Sequence, residues 1–142
     1  MTTRDRLREE LRAYIPHELA IETFDPYGWR WVHASIVDDG TDTQQNAVLT
    51  AGEYFIATAL QLNADSGGLF LLLLQDENRG YPLTDDQFPT LSLCTNGPFV
   101  LPQPWVIAPK TRVSAACKNV SGSTDTLRGV LWGYKVYVNR GG

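Results

Sequence analysis

The chain is poor in the residues that most chemistry requires. Two cysteines and two histidines are spread over 142 residues. Cys94 and Cys117 stand 23 positions apart and form neither a ligand pair nor a disulfide framework, so two buried thiols are expected. A metal centre needs several ligands brought together. His17 and His33 have no carboxylate at a recognisable ligand spacing, so no metal and no cofactor are expected. No apolar run approaches the roughly 20 residues that cross a bilayer, the longest being 69–74. Residues 1–12 are dense in both charge signs and lack the apolar stretch of a secretory signal, so synthesis and assembly inside a cell are expected. There is no glycine-rich phosphate loop, no nucleophile elbow, no internal repeat and no low-complexity segment.

What remains is an ordinary globular composition, 43% hydrophobic and 20% charged, long enough for one real core. The net charge of −4 conceals a polarised distribution. Residues 1–20 balance, residues 21–90 carry eleven acids against Arg30 and Arg79, and residues 91–142 carry six basic residues against Asp125 alone. Interleaving of these segments in a compact β domain can cancel the polarity locally; where it survives on the surface it favours head-to-tail contact between copies. It disfavours nucleic acid, for which an overall basic balance is expected.

Thr2 or Thr3 can cap a helix running to about Ile15, with Leu7, Leu11, Tyr14 and Ile15 on one face and Pro16 as its stop. Arg6/Glu10, Asp5/Arg8 and Glu9/Arg12 are spaced to pair on the other face. The apolar stripe needs a surface to cover, either on its own domain or on a neighbouring subunit.

From Phe24 onward the pattern is β-type. Strands are expected at 29–37, 47–49, 53–62, 69–75, 91–95, 99–101, 113–118 and 126–138, with 106–107 as a short edge strand. In 53–62 the alternation sets Tyr54, Ile56, Thr58, Leu60 and Leu62 against Phe55, Ala57, Ala59 and Gln61. The run 69–75 is apolar throughout and reads as buried on both faces. Pro102 and Pro104 exclude a central strand between them. The last strand alternates over its whole length and should sit centrally, its glycines permitting bulges or close backbone approach. About eight antiparallel strands behind a short amphipathic helix predict an all-β, jelly-roll-like β-sandwich over 17–142, with 1–16 as a helical arm.

Candidate chemistry is thin. Asp38-Asp39 and Asp85-Asp86 have the adjacency that glycoside hydrolysis or calcium binding uses, but both lie in turns, where paired acids are usually solvated. No catalytic residue is identified and the chain reads as a non-enzyme. Asn119-Val120-Ser121 matches a glycosylation acceptor and is taken as incidental. Tyr27, Trp29 and Trp31 form a candidate stacking platform for sugars, with core packing as the competing explanation; Trp132 and Tyr134 repeat the spacing in the last strand.

The last third carries a recognisable cadence. Pro102-Gln103-Pro104-Trp105-Val106-Ile107-Ala108-Pro109 leads through Lys110-Thr111-Arg112-Val113 to Leu131-Trp132-Gly133-Tyr134-Lys135-Val136-Tyr137. Over roughly residues 50–138 this resembles small tailed-bacteriophage virion proteins of jelly-roll type. The resemblance implies a structural role in the particle: a capsid decoration (cement) protein first, or a neck, collar or tail-fibre-base component. It implies a homo-oligomer, a trimer favoured, that binds the major capsid protein or other virion proteins, with assembly in the host cytoplasm and neither nucleic acid nor membrane as partner. The candidate interface is Leu7, Leu11, Tyr14 and Ile15 on the helix, Tyr81 and Phe88 in the acidic loop 76–90, and Trp105. A carbohydrate-binding jelly-roll module is the alternative, resting on Tyr27, Trp29 and Trp31.

Overall fold

The computed structural model describes residues 2–78, 81–82, 88–90 and 98–140. Among these residues one helix, α1 (Thr3–Arg12), precedes nine strands: β1 (Leu19–Ile36), β2 (Thr41–Gln45), β3 (Glu53–Ala64), β4 (Phe70–Asp76), β5 (Tyr81–Pro82), β6 (Phe88–Pro89), β7 (Phe99–Ile107), β8 (Val113–Asn119) and β9 (Asp125–Arg140). They form two antiparallel sheets. One has the order β1-β9-β3-β7; the other has β2-β8-β4-β5, with β6 also on β4. The pairing is nested: β1 with β9, β2 with β8, β3 with β7, β4 with β5 and β6. A long antiparallel hairpin rolled so that successive pairs alternate between two sheets gives this order, which is the jelly-roll arrangement. The fold is all-β, as the turn spacing predicts.

The inter-sheet core contains Trp29, Trp31, Phe55, Leu60, Phe70, Leu72, Leu74, Ile107, Leu127 and Leu131. A second, smaller core lies outside the first sheet, where Leu11 and Ile15 cover Phe24, Ile56 and Val136. The α1 stripe therefore packs on its own domain, and fully burying two aliphatic side chains there contributes roughly 1.5–3 kcal/mol each. Thr2 and Asp5 form a reciprocal capping box, and the helix ends at Arg12, earlier than the apolar spacing predicts. Among the described residues none of the expected helix pairs Arg6/Glu10, Asp5/Arg8 and Glu9/Arg12 closes as an ion pair; instead Arg4 and Arg8 hold the helix to β1. Arg4 donates to the Phe24 carbonyl at 3.1 Å, and Arg8 donates to that of Ile21 at 2.6 Å. Arg4 also lies 4.3 Å from the Phe24 ring centroid, while Arg12 closes the C-terminal turn onto the carbonyls of Ile15, Pro16 and His17.

Several strand expectations need correction. β2 is the polar stretch Thr41–Gln45, whereas the apolar 47–49 is not a strand. β3 does not keep one alternation. A register break between Ala57 and Ala59 inserts Thr58 as a bulge, so Phe55 and Ala57 face the inter-sheet core before it and Leu60, Leu62 and Ala64 after it. β4 is buried on one face only: Phe70, Leu72, Leu74 and Asp76 are buried, while Leu71, Leu73 and Gln75 are half-buried. β7 runs unbroken through Pro102 and Pro104, which an edge strand tolerates; the β3 register steps from Trp105 to Val100 around them. β1 starts ten residues before Trp29 and accommodates Pro26 in the same way, at the opposite edge of that sheet. Within the acidic loop, β5 and β6 add to the β4 edge. The expected strand 91–95, Cys94 and the pair Asp85-Asp86 lie outside the described residues.

β9 is central, between β1 and β3, as its length predicts. Gly129 makes room for the Trp31 indole, which a Cβ would overlap, and Gly133 faces the β3 bulge, where a Cβ would strike the Ile56 carbonyl and the Ala57 backbone.

Candidate functional site

Among the described residues, His33, Cys117, Asn119 and Asp125 are taken up by structural contacts. His33 is fully buried. The Trp31 indole N–H donates to its Nε2 at 3.0 Å, which leaves the proton on Nδ1, 2.8 Å from Asp42 Oδ2. Burial depresses the His33 pKa, and the hydrogen bond to Asp42 offsets this only in part. Burial alone would raise the Asp42 carboxyl, but donation from Gln44 and His33 holds it below its usual range. The geometry resembles an acid–imidazole dyad whose outer nitrogen is closed by an indole, so it has no free base to offer a substrate. Cys117 beneath it is buried, and desolvation together with the Asp42 carboxylate pushes its thiol up to about 12.

Asp125 is a second structural carboxylate. It accepts from the backbone N–H groups of Ser66, Gly68 and Thr126 at 2.9, 2.9 and 2.7 Å, clamping the β3–β4 turn to the start of β9. Burial would raise its pKa, but these donors outweigh that and hold it low. Removing the carboxylate in Asp125→Ala orphans three donors, so a loss of about 3 kcal/mol is expected in urea unfolding. A variant within about 0.5 kcal/mol of the parent would show that solvent replaces the clamp.

Asn119 is also fully buried, donating to the Ile36 and Ser123 carbonyls at 2.7 and 2.8 Å and accepting from Ser121. Its amide is thus closed to a glycosyl transferase. Asp38 accepts from the Gly122 N–H at 2.9 Å and, like Asp39, sits exposed in a turn. Among the described residues no group of three or more His, Cys, Asp or Glu side chains is placed to hold a metal ion.

The stacking platform is overturned by burial. Trp29 and Trp31 are 6% and 5% exposed and stack on each other with centroids 4.5 Å apart, inside the sandwich. Tyr27 packs edge-on against Phe55 at 5.2 Å and carries Lys135 Nζ 4.2 Å from its ring centroid. The two indoles are closed to a sugar, and Tyr27 is half-buried against Phe55 and Lys135. The helix part of the expected interface is likewise corrected: Leu11 and Ile15 are buried within the chain, and Leu7 and Tyr14 are half-buried beside them. Leu7, Leu11 and Tyr14 still line one wall of a groove of about 480 Å³ completed by Ile56, Pro104 and Tyr134. Trp105 packs partly into the main core. Tyr81 and Phe88 lie on β5 and β6 at the β4 edge, their side chains outside the described residues.

A second surface feature was not singled out as a site from the sequence. α1 covers one end of the outer face of the β1-β9-β3-β7 sheet, over Phe24, Tyr134 and Val136. Beyond it the strand registers set three rows side by side: Val32, Arg128 and Asn63; Arg30, Val130 and Gln61; Gly28, Trp132 and Ala59, continued by Val100 on β7. Val100 is 73% exposed and Val32 39%. A shallow depression of about 320 Å³ lies between Arg30, Gln61, Asn63, Arg128, Val130 and Trp132. The Trp132 indole donates to Gln61 Oε1 at 3.1 Å, and the Arg30 guanidinium lies 5.6 Å from the Trp132 centroid. Arg128 is held by both oxygens of Asp65, at 2.9 and 3.1 Å, which keeps the Asp65 carboxyl low and the guanidinium firmly charged. Among the described residues Arg30 makes no ion pair. Trp and Arg around an apolar centre are the composition enriched where proteins dock. The signal was present in the sequence as the outward half of the β9 alternation, Arg128, Val130 and Trp132. Nothing in it shows that α1 stops short of these residues.

No protein-family model matches the chain, and no curated protein matches it. Among solved structures it is similar to the Drosophila NLP-core, described for pentamer formation and histone binding, at 12% identity over 78% of this chain and 96% of that chain, with a TM-score of 0.31. A likeness this slight carries no functional weight.

Proposed function

We propose that this chain is a non-enzymatic virion structural protein, a capsid decoration (cement) protein that stabilises a bacteriophage shell by subunit contacts. The observation that carries the reading is the half-open outer sheet face: Val32, Val130, Trp132 and Val100 form an apolar surface with Arg30 among them, while His33, Cys117, Asn119 and Asp125 are engaged inside the domain. Adhesion needs such a surface and a rigid scaffold beneath it, and the jelly roll supplies the scaffold. The sequence cadence of the last third points to the particle in which it acts. A partner that binds only the folded chain also raises its apparent stability by mass action.

The test is direct. Shells of the parent particle prepared without this chain are mixed with the purified protein and sedimented. Saturable co-sedimentation and a higher shell disassembly temperature are expected. A chain that stays in the supernatant at all concentrations, with the shell unchanged, would remove the cement role.

A further inference from the structure

The open sheet face has a counterpart on the same chain. The turn between β1 and β2 presents Val37, 60% exposed, beside the exposed carboxylates of Asp38 and Asp39. It is held rigid: Gly40 N–H donates to the Val37 carbonyl at 2.8 Å, and Asp39 N–H donates to that of Asn119 at 2.8 Å. The Gly122 N–H occupies one Asp38 oxygen, while Asp39 has no side-chain hydrogen bond or ion pair among the described residues. The turn is therefore an apolar side chain next to an unneutralised carboxylate. The face is an apolar, indole-bearing surface next to an unneutralised guanidinium, Arg30.

Within one chain the two surfaces are kept apart. β1 breaks register between His33 and Ile36, with Ser35 at a φ of 49°, pairs with β9 once more at Ile36, and the chain then turns through 37–40 into β2 of the other sheet. Arg30 stays on the outer face of the first layer while the turn bridges to the second. A two-fold contact of face on face brings two Arg30-bearing patches together and supplies no free carboxylate to either, and with Arg30 near the axis like charge opposes it. Face against turn brings opposite charges and two apolar patches together, and a contact between different patches repeats from copy to copy until a ring closes.

We infer that the chain self-associates head to tail, the Arg30, Val32, Val130 and Trp132 face of one copy receiving the Val37, Asp38 and Asp39 turn of the next. This rests on the adhesive reading above and names the surfaces it uses between copies. The occupant is a second copy because this chain itself offers a carboxylate and an apolar residue in one rigid turn of the required character.

The test measures solution mass by light scattering across a concentration series for the full chain, Arg30→Asp, Asp39→Lys and the double variant. Both positions are exposed, and Lys110 already occupies the left-handed backbone region that Asp39 uses, with φ 61° at each. Far-UV circular dichroism should therefore be unchanged. The expected result is an oligomer for the parent, association weakened on the order of 10-fold or more in each single variant, and recovery in the double variant. A parent that is monomeric throughout overturns the inference, and so does an oligomer indifferent to Arg30→Asp. Single-variant losses that the double variant fails to restore overturn the turn as occupant. Shell binding by a chain that is monomeric or oligomerises elsewhere would leave the cement role standing and remove only this contact.

Discussion

Gly133→Ala is expected to destabilise the domain by about 3 kcal/mol or more, lowering the melting temperature by about 10 °C or more. The reason is the β3 bulge. Thr58 is the extra residue, and the chain around it pushes the Ile56 carbonyl and the Ala57 Cα toward β9 at the position opposite Gly133. A Cβ there meets backbone, which cannot rotate aside as a side chain can. The ladder between β3 and β9 must open or the bulge must be lost, and losing it slips one side by a residue and turns either Phe55 and Ala57 or Leu60 and Leu62 out of the core. A domain of this size is stable by only roughly 5–15 kcal/mol, so the loss is a large fraction of the whole. Gly52→Ala is the contrasting substitution. Its Cβ would lie 3.2 Å from the Val138 carbonyl oxygen, a contact relieved by a small shift, and a loss below about 1 kcal/mol is expected. Equal melting temperatures for the two variants would show that the bulge does not press on β9.

Stability should also fall as the solution is acidified below about pH 6.5, because of His33. Burial lowers its pKa in the folded chain, so the native state keeps the imidazole neutral at pH values where the unfolded chain has bound a proton. The sign follows: the contribution is complete above the unfolded value and is lost as pH drops from there toward the depressed folded value. The slope over that window approaches about 1.4 kcal/mol per pH unit, the worth of one proton bound only by the unfolded state. Protonation would also cost the Trp31 N–H its acceptor, since Nε2 would itself become a donor. Asp42 adds a second loss at lower pH. Its folded carboxyl is held below the unfolded value near 3.8, so stability drops again as pH falls through that range. His33→Gln retains a donor and an acceptor but does not titrate. Urea unfolding at closely spaced pH values should find it about 2 kcal/mol weaker near pH 7 and flat between pH 6.5 and 4.5. A parent whose midpoint is constant over that interval would contradict a neutral His33 in the folded core.

The two effects have different visibility in the sequence. Alternation in 126–138 marked β9 as a long strand with Leu127 and Leu131 on one face and Val136 on the other, because a period of two survives wherever pairing is regular. The turn signals and the helix cap likewise exposed the layered all-β class and the amphipathic start. The same reasoning failed in β3. One inserted residue inverts the phase of everything beyond it, and Thr58 looks like any other strand residue. β2 escaped for a related reason: an edge strand that faces His33 with Asp42 and the solvent with Thr43 has no apolar stripe to announce it.

The candidate site divides along the same line. That Arg30, Val130 and Trp132 are neighbours follows from two strand registers, β1 on β9 and β9 on β3, and pairing partners are set by global closure of the sandwich. Whether Tyr27, Trp29 and Trp31 bind a ligand or fill a core depended on which side of β1 met the second sheet, and packing placed the two indoles inside. By itself the sequence determined the class of fold, the helix with its cap and the long final strand, since these rest on local period and turn chemistry. Only the tertiary structure decided where the bulge falls, that α1 covers one end of one sheet, and which aromatic residues remain at the surface, since those depend on contacts between residues far apart in the chain.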